Sequence, residues 1–201
     1  MGDLSAYVEL GFRHIVSLGA ADHILFLLVL AAIYRPRDWR ALLWVVTAFT
    51  VGHSLTLALA VTGWIALPGA WIEFLIPVTI VATGVENLLL RERAAAGRGA
   101  RHRPMIALLF GLVHGAGFAG YLQGLLVDDI AWPLLGFNIG VELGQITVLA
   151  ATTVLFVAAD RGLAWCRDLL RFRSAPFQLR LTAVSTFVTA VAAVWSWERL
   201  P

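Results

Sequence analysis

His23, His53 and His114 are the residues in this 201-residue chain most suited to chemistry, with Asp22 beside the first and Glu142 further on. Imidazole nitrogens and carboxylate oxygens together form the ligand set of borderline divalent metals such as nickel, cobalt, zinc and iron. All five residues fall inside long apolar runs. An ionisable group in such a run is expensive unless it is paired, and so marks a functional site. A bound cation would neutralise Asp22 and Glu142 and keep the histidines neutral, since a coordinating nitrogen cannot also carry a proton. Without a metal, the carboxylates are expected to protonate or to pair with histidine.

The elements that must position these groups follow from composition. The chain is 60% hydrophobic and only 14% charged, with a mean hydropathy of +0.82. Its apolar residues gather into runs of roughly 20, the length a helix needs to cross about 30 Å of hydrocarbon. The fold class is therefore an all-α integral membrane protein, a six-span helical bundle in one membrane domain covering 1–201. The expected spans are 17–34, 41–63, 71–90, 104–122, 132–158 and 179–197. Residues 4–16 (1–16 in the wider segment) read as a short interfacial or re-entrant helix. Pro77 lies within the third span.

All 15 basic residues are arginine, and 13 of them fall in the loops after spans one, three and five. Arginine-rich loops stay in the cytoplasm, so both termini are expected on the opposite, outer face. A sequence pI near 9.2 therefore reflects topology, and no nucleic-acid partner is expected. Trp39, Trp64, Trp71, Trp132 and Trp197 lie near the expected span ends, as an interfacial aromatic belt would. The single Cys166 excludes an internal disulfide and a CxxC metal site. No removable signal peptide is expected, because a basic segment followed by a short apolar stretch and a cleavage site is missing.

At 1.5 Å per residue, His23, His53 and His114 lie about 15–18 Å from the cytoplasmic ends of their expected spans, and Glu142 about 15 Å from the outer end of its own. Four helices thus bring metal-binding groups to one depth, with Asp22 alongside. His14 lies eight residues before Asp22 and joins this level only if the chain folds back at "SLGAAD"; otherwise it is an outer-face ligand. In span five, Asn138, Glu142 and Gln145 form one polar stripe, the amides placed to orient Glu142 or to mark a path. Beside it, Gly136, Gly140 and Gly144 read as a close helix-packing face. Ser54 and the threonines of span two read as hydroxyls bonded to backbone carbonyls. Thr79, Thr83 and Glu86 share one side of span three. Glu86 sits about 7 Å from the basic end, as a lower ligand, an exit-side carboxylate or a surface residue.

Two pairs of segments echo one another: "GFRHI" at 11–15 with "GLVHG" at 111–115, and "FTVGHS" at 49–54 with "FNIGVE" at 137–142. Three spans on either side of the basic loop 91–103 would make such halves an inverted repeat. The spacing between the segments differs in the two halves.

The stretches "GFRHIVSLGAADHILFLL", "FTVGHSLTLALA", "VENLLL", "FGLVHGAGFA" and "FNIGVELGQ" resemble the HupE/UreJ family of small bacterial membrane proteins. They touch five of the six expected spans. The resemblance implies a nickel permease of the bacterial inner membrane, working beside a hydrogenase or urease system. "ADH" is more loosely similar to the histidine–aspartate–histidine signature of nickel/cobalt permeases. Here, however, seven residues separate His14 from Asp22, where that signature has four. The expected function is thus a transition-metal permease, with His14, Asp22, His23, His53, His114 and Glu142 as ligands and the metal ion as cargo. Two alternatives stay open. One is an intramembrane metallohydrolase with Glu142 or Asp22 as general base, acting on a lipid or a membrane-embedded peptide. The other is a metal sensor or accessory subunit. The residues leave the choice of metal and a homo-oligomeric state open.

Overall fold

The structure, a computed structural model, describes residues 4–66, 68–95, 102–123, 130–170 and 175–201. Asp3, the basic stretch 96–101, the acidic pair Asp128 and Asp129, and Arg171 and Arg173 lie outside the described residues. Among the described residues the chain is all helical. Helix α1 covers Leu4–Val16. A single 3-10 turn, Leu18–Ala20, joins it to α2, Ala21–Ala32. After a second short turn at Pro36–Asp38 come α3, Trp39–Val61, and α4, Gly69–Ala95. Then follow α5, Arg103–Gln123, α6, Ala131–Leu170, and α7, Pro176–Glu198.

Of the six expected spans, four or five are supported by the described residues. Four stretches among the described residues are long and apolar enough to cross a membrane: Pro36–Val61, Gly69–Leu90, Ala131–Cys166 and Pro176–Glu198. A fifth is reached only if α1 and α2 together count as one span, bent by 59° at the break between them. The cause is local. Ser17 leaves the helix and its hydroxyl accepts the Gly19 amide at 3.2 Å, which stops α1 and starts the 3-10 turn. The expected first span therefore holds only the 12 residues of α2, about 18 Å of helix. Helix α5 covers 21 residues, of which Arg103–Phe118 form a shorter apolar helix among the described residues.

Large apolar side chains such as Trp44, Val154, Leu155, Phe187 and Val194 face outward on the long helices. Trp39, Trp64, Trp71, Trp132 and Trp197 are all exposed at helix ends. This apolar exterior is that of a multi-pass membrane protein.

Inside, three helix pairs carry most of the packing: α1 with α6, α3 with α5, and α4 with α7. Lipid gives apolar side chains no reason to leave it, so tight packing of small residues must hold such pairs together. Glycine supplies it. A methyl group on Gly52 would strike the Leu108 carbonyl, and one on Gly111 the Phe49 carbonyl. On α6, Gly136, Gly140 and Gly144 do form a close-packing face, and α1 lies on it: Gly140 meets Val8 and Phe12, and Gly144 meets Phe12 and Ile15. Helix α1 is thus part of the bundle, with Gly11 and Ile15 buried.

Polar side chains tie the other helices together. Arg180 is buried, pairs with Asp160 at 2.8 Å and donates to the Ala32 carbonyl at 3.1 Å, closing the end of α2. Asn87 donates to the Val29 carbonyl at 2.7 Å and to Ser185 at 3.3 Å, linking α4 to α2 and α7.

The backbone contacts at Gly52 and Gly140 leave no room for a side chain. Gly52→Val and Gly140→Val should each cost about 1–3 kcal/mol or more, as overpacking does. Thermal unfolding in detergent should show a clear fall in Tm for both, whereas Gly162→Ala, in open space, should leave Tm unchanged or slightly raised.

Candidate metal centre

The fold carries the imidazoles into a common volume. His14 ends the inner face of α1, and the break at Ser17 turns the chain so that His23 on α2 comes back against it. Their ring centroids lie 4.6 Å apart. His53 of α3 is 6.0 Å from His14 and 6.3 Å from His23, and His114 of α5 is 5.3 Å from His23. One ring nitrogen from each of His14, His23 and His53 falls within 4.8 Å of the other two. Nitrogens around a single ion at about 2.1 Å sit roughly 3–3.5 Å apart. Small rotations of these rings would close that gap.

Six imidazole nitrogens here are buried without a hydrogen-bond partner: His14 Nε2, both nitrogens of His23, both of His53, and His114 Nδ1. A lone dry polar atom costs about 1–3 kcal/mol. The one bonded nitrogen seen is His114 Nε2, 2.9 Å from the Thr79 hydroxyl, which orients that ring. Thr79 donates to the Ile76 carbonyl at 2.7 Å and is itself fixed.

Phenylalanines wall the cluster. Phe118 lies 4.0 Å from His14, Phe137 is stacked on His53 at 6.3 Å, and Phe26 and Phe49 flank His114 at 5.3 and 5.0 Å. These rings offer the imidazole nitrogens no hydrogen-bond partner. The sequence reading did not single out these rings, because phenylalanine in a membrane span gives no distinguishing signal.

A cavity of about 620 Å³ leads to the cluster. His14, His23 and His114 form its floor, and Asp22, Glu73, Arg13 and Arg199 line it too. His53, which has no solvent exposure, lies behind them. Glu73 was missed by the sequence reading. It sits in the first turns of α4, where a carboxylate looks like an ordinary helix-end residue; only the fold brings it to the cavity.

The acids expected at the cluster are placed differently from the histidines. Asp22 lines the cavity next to His23 but accepts from Arg199 at 3.2 Å. Glu142 accepts from Thr47 at 2.8 Å, on the face between α3 and α6. Gln145 accepts from Thr50 at 2.8 Å, and Ser54 donates to the Thr50 carbonyl at 2.7 Å. The Asn138 side-chain oxygen is buried and unpartnered. Glu86 lies at the far end, held by Arg103 at 2.8 and 3.0 Å and by His102 at 2.7 Å. The structure therefore gathers four histidines, brings Asp22 to their edge and keeps Glu142 and Glu86 engaged elsewhere.

A sequence model of the HupE / UreJ protein family matches residues 1–199, so the chain belongs to this family. Searches of curated proteins and of solved structures found no match.

Two substitutions test the site. His53→Ala should weaken nickel binding to the purified protein by 100-fold or more, read by equilibrium dialysis. Thr79→Val, which removes only the group orienting His114, should weaken it about 10-fold, as loss of a partner to a metal-binding histidine does.

Proposed function

We propose that this protein carries a divalent transition metal, nickel first among candidates, across the bacterial inner membrane. The cargo binds among His14, His23, His53 and His114. The observation that carries this reading is the convergence of six unpartnered imidazole nitrogens, four of them on histidines that line a cavity. Neutral imidazole suits nickel, cobalt, copper and zinc, whereas magnesium and calcium require oxygen ligands. Membership of the HupE / UreJ family favours nickel or cobalt.

The cavity's rim supports transport over lipid or peptide hydrolysis. Arg13, Asp22, Glu73 and Arg199 surround it, and these charged groups suit water rather than hydrocarbon. A hydrolase of membrane substrates needs an apolar side opening, and the two carboxylates expected as its base, Asp22 and Glu142, are engaged with Arg199 and Thr47. In this reading Asp22 and Glu73 attract the cation at the rim and the histidines strip its remaining water. With the arginine-rich loops in the cytoplasm, the rim faces the periplasm.

The test is uptake of radioactive nickel by proteoliposomes, with a lipid-turnover assay run in parallel. The wild-type protein should load vesicles well above empty liposomes, and His53→Ala should lower the rate by 100-fold or more. Glu73→Gln should reduce uptake several-fold at low ionic strength, with a smaller effect at high salt, because rim attraction is screened. Lipid turnover without nickel uptake would overturn the proposal in favour of a hydrolase.

A further inference from the structure

The two main glycine contacts share one register. Gly11 of α1 faces the Phe137 carbonyl and the Val141 amide of α6; Gly111 of α5 faces the Phe49 carbonyl and the His53 amide of α3. Gly140 of α6 faces the Val8 carbonyl and the Phe12 amide; Gly52 of α3 faces the Leu108 carbonyl and the Leu112 amide. Every α1 position maps to α5 by a shift of 100 residues, and every α6 position maps to α3 by a shift of 88. The two helix crossings are therefore built alike, residue for residue, at six backbone positions.

The direction of the helices completes the pattern. Contacts rise together along α1 and α6, and along α3 and α5, so each pair is parallel. Trp39 and Leu42 at the start of α3 share a small cavity with Thr153, Phe156 and Val157 in the second half of α6, whereas His53, further along α3, stacks on Phe137 near the start of α6, so α3 and α6 are antiparallel. On α4 and α7, Gly84 meets Thr189 while Asn87 bonds Ser185, so this pair is antiparallel too. One two-fold rotation thus relates α1, α3 and α4 to α5, α6 and α7. Helix α2, which carries Asp22 and His23, stands outside the repeat.

His14 and His114 occupy equivalent positions in the two halves, so the histidine cluster lies between them. The surroundings of the cluster are not equivalent. A single stripe on α4 shows this: Glu73 and Ile76 line the cavity, Thr79 bonds His114, Thr83 is buried one turn on, and Glu86 lies one turn beyond that. From Glu73 to Glu86 the stripe covers 13 residues, about 20 Å. One end is open. At the other end the buried Arg103 guanidinium bonds Glu86 and also Asn87 at 2.6 Å, and it lies over the Tyr34 ring.

We infer that the two glycine-packed pairs move as rigid bodies about the histidine cluster, exposing it alternately to the two sides, with Glu86, Arg103 and Asn87 as the gate closed in this conformation. Halves that share one packing code but stand in different surroundings can exchange conformations. That exchange closes the cavity and opens the opposite end. The glycine contacts within each pair are too tight to slide, so movement falls between the pairs. This inference rests on the metal-transport reading for its cargo, but its motion is measurable separately.

The experiment uses the full chain with Cys166→Ser, carrying either Ile76→Cys on the cavity side or Thr83→Cys behind the cluster. A membrane-impermeant thiol reagent is applied to right-side-out or inverted vesicles. Without metal, Ile76→Cys should react from the cavity side and Thr83→Cys from neither. Adding Glu86→Gln, or separately Arg103→Gln, should raise Thr83→Cys labelling from the opposite side at least tenfold and lower Ile76→Cys labelling in step. Nickel added with the gate residues intact should shift both cysteines in the same directions, so a gate variant that fails to fold does not decide the matter. Labelling that rises at both positions describes an open channel and overturns the inference, as does labelling that changes at neither. Nickel binding by equilibrium dialysis separates the two levels. Binding without exchange of labelling sinks only the inference. Exchange without binding sinks the nickel reading and leaves the motion.

Discussion

Imidazole nitrogens with lone pairs and no partners, buried among phenylalanine rings, are the constraint on which the rest of this molecule depends. Folding a bundle around six such atoms costs stability that apolar side chains at the same positions would not. The cost is tolerable only if another part of the structure holds the rings in place and if a ligand recovers what hydrogen bonds do not. Helix packing meets the first condition. The divalent cation proposed above, taking three or four nitrogens, would meet the second, and the charged groups lining the cavity would give it a route in.

Glycine makes the arrangement possible. Gly52 and Gly111 let α3 and α5, which carry His53 and His114, approach until their backbones touch, and Gly11 and Gly140 hold α1, which carries His14, against α6 in the same way. His53 belongs to both systems: its ring faces the cluster while its carbonyl packs against Gly115. The same tight contacts divide the bundle into stiff pairs, and the cluster lies where these pairs meet. Rigidity within a pair and looser contact between pairs suit a site that must hold an ion and also release it.

Much of the site was legible in the sequence because charge and imidazole are conspicuous in apolar spans. The depth of His23, His53 and His114 along their helices placed them at one level, and the structure brings them together. The fold-back that admits His14 was also readable, since "SLGA" offers a capping serine and a glycine. What helical spacing could not supply was rotation. Depth put Glu142 with the histidines, but its side of α6 faces Thr47, and its carboxylate bonds there. Asp22 was placed beside His23 correctly, while its partner Arg199 lies 177 residues away and no local pattern announces it.

The span count shows a different limit. Counting apolar residues treats every run as a straight crossing, so the first span read as one helix although the chain breaks at Leu18–Ala20 and the 12 residues of α2 are too short to cross alone. The repeat was hidden for a related reason. Matching segments such as "FTVGHS" and "FNIGVE" are short, and α2 interrupts one half, so the spacings disagree. The quoted segments carry the shifts of 100 and 88 residues, and the glycine contacts show that both helix crossings use that register.

Nickel K-edge absorption of the loaded protein in lipid tests the central claim most directly. Three or four imidazole nitrogens at about 2.1 Å, with the multiple scattering that intact rings produce, is the predicted first coordination sphere. A sphere of oxygens alone, or nickel that keeps its full shell of water, would contradict the account.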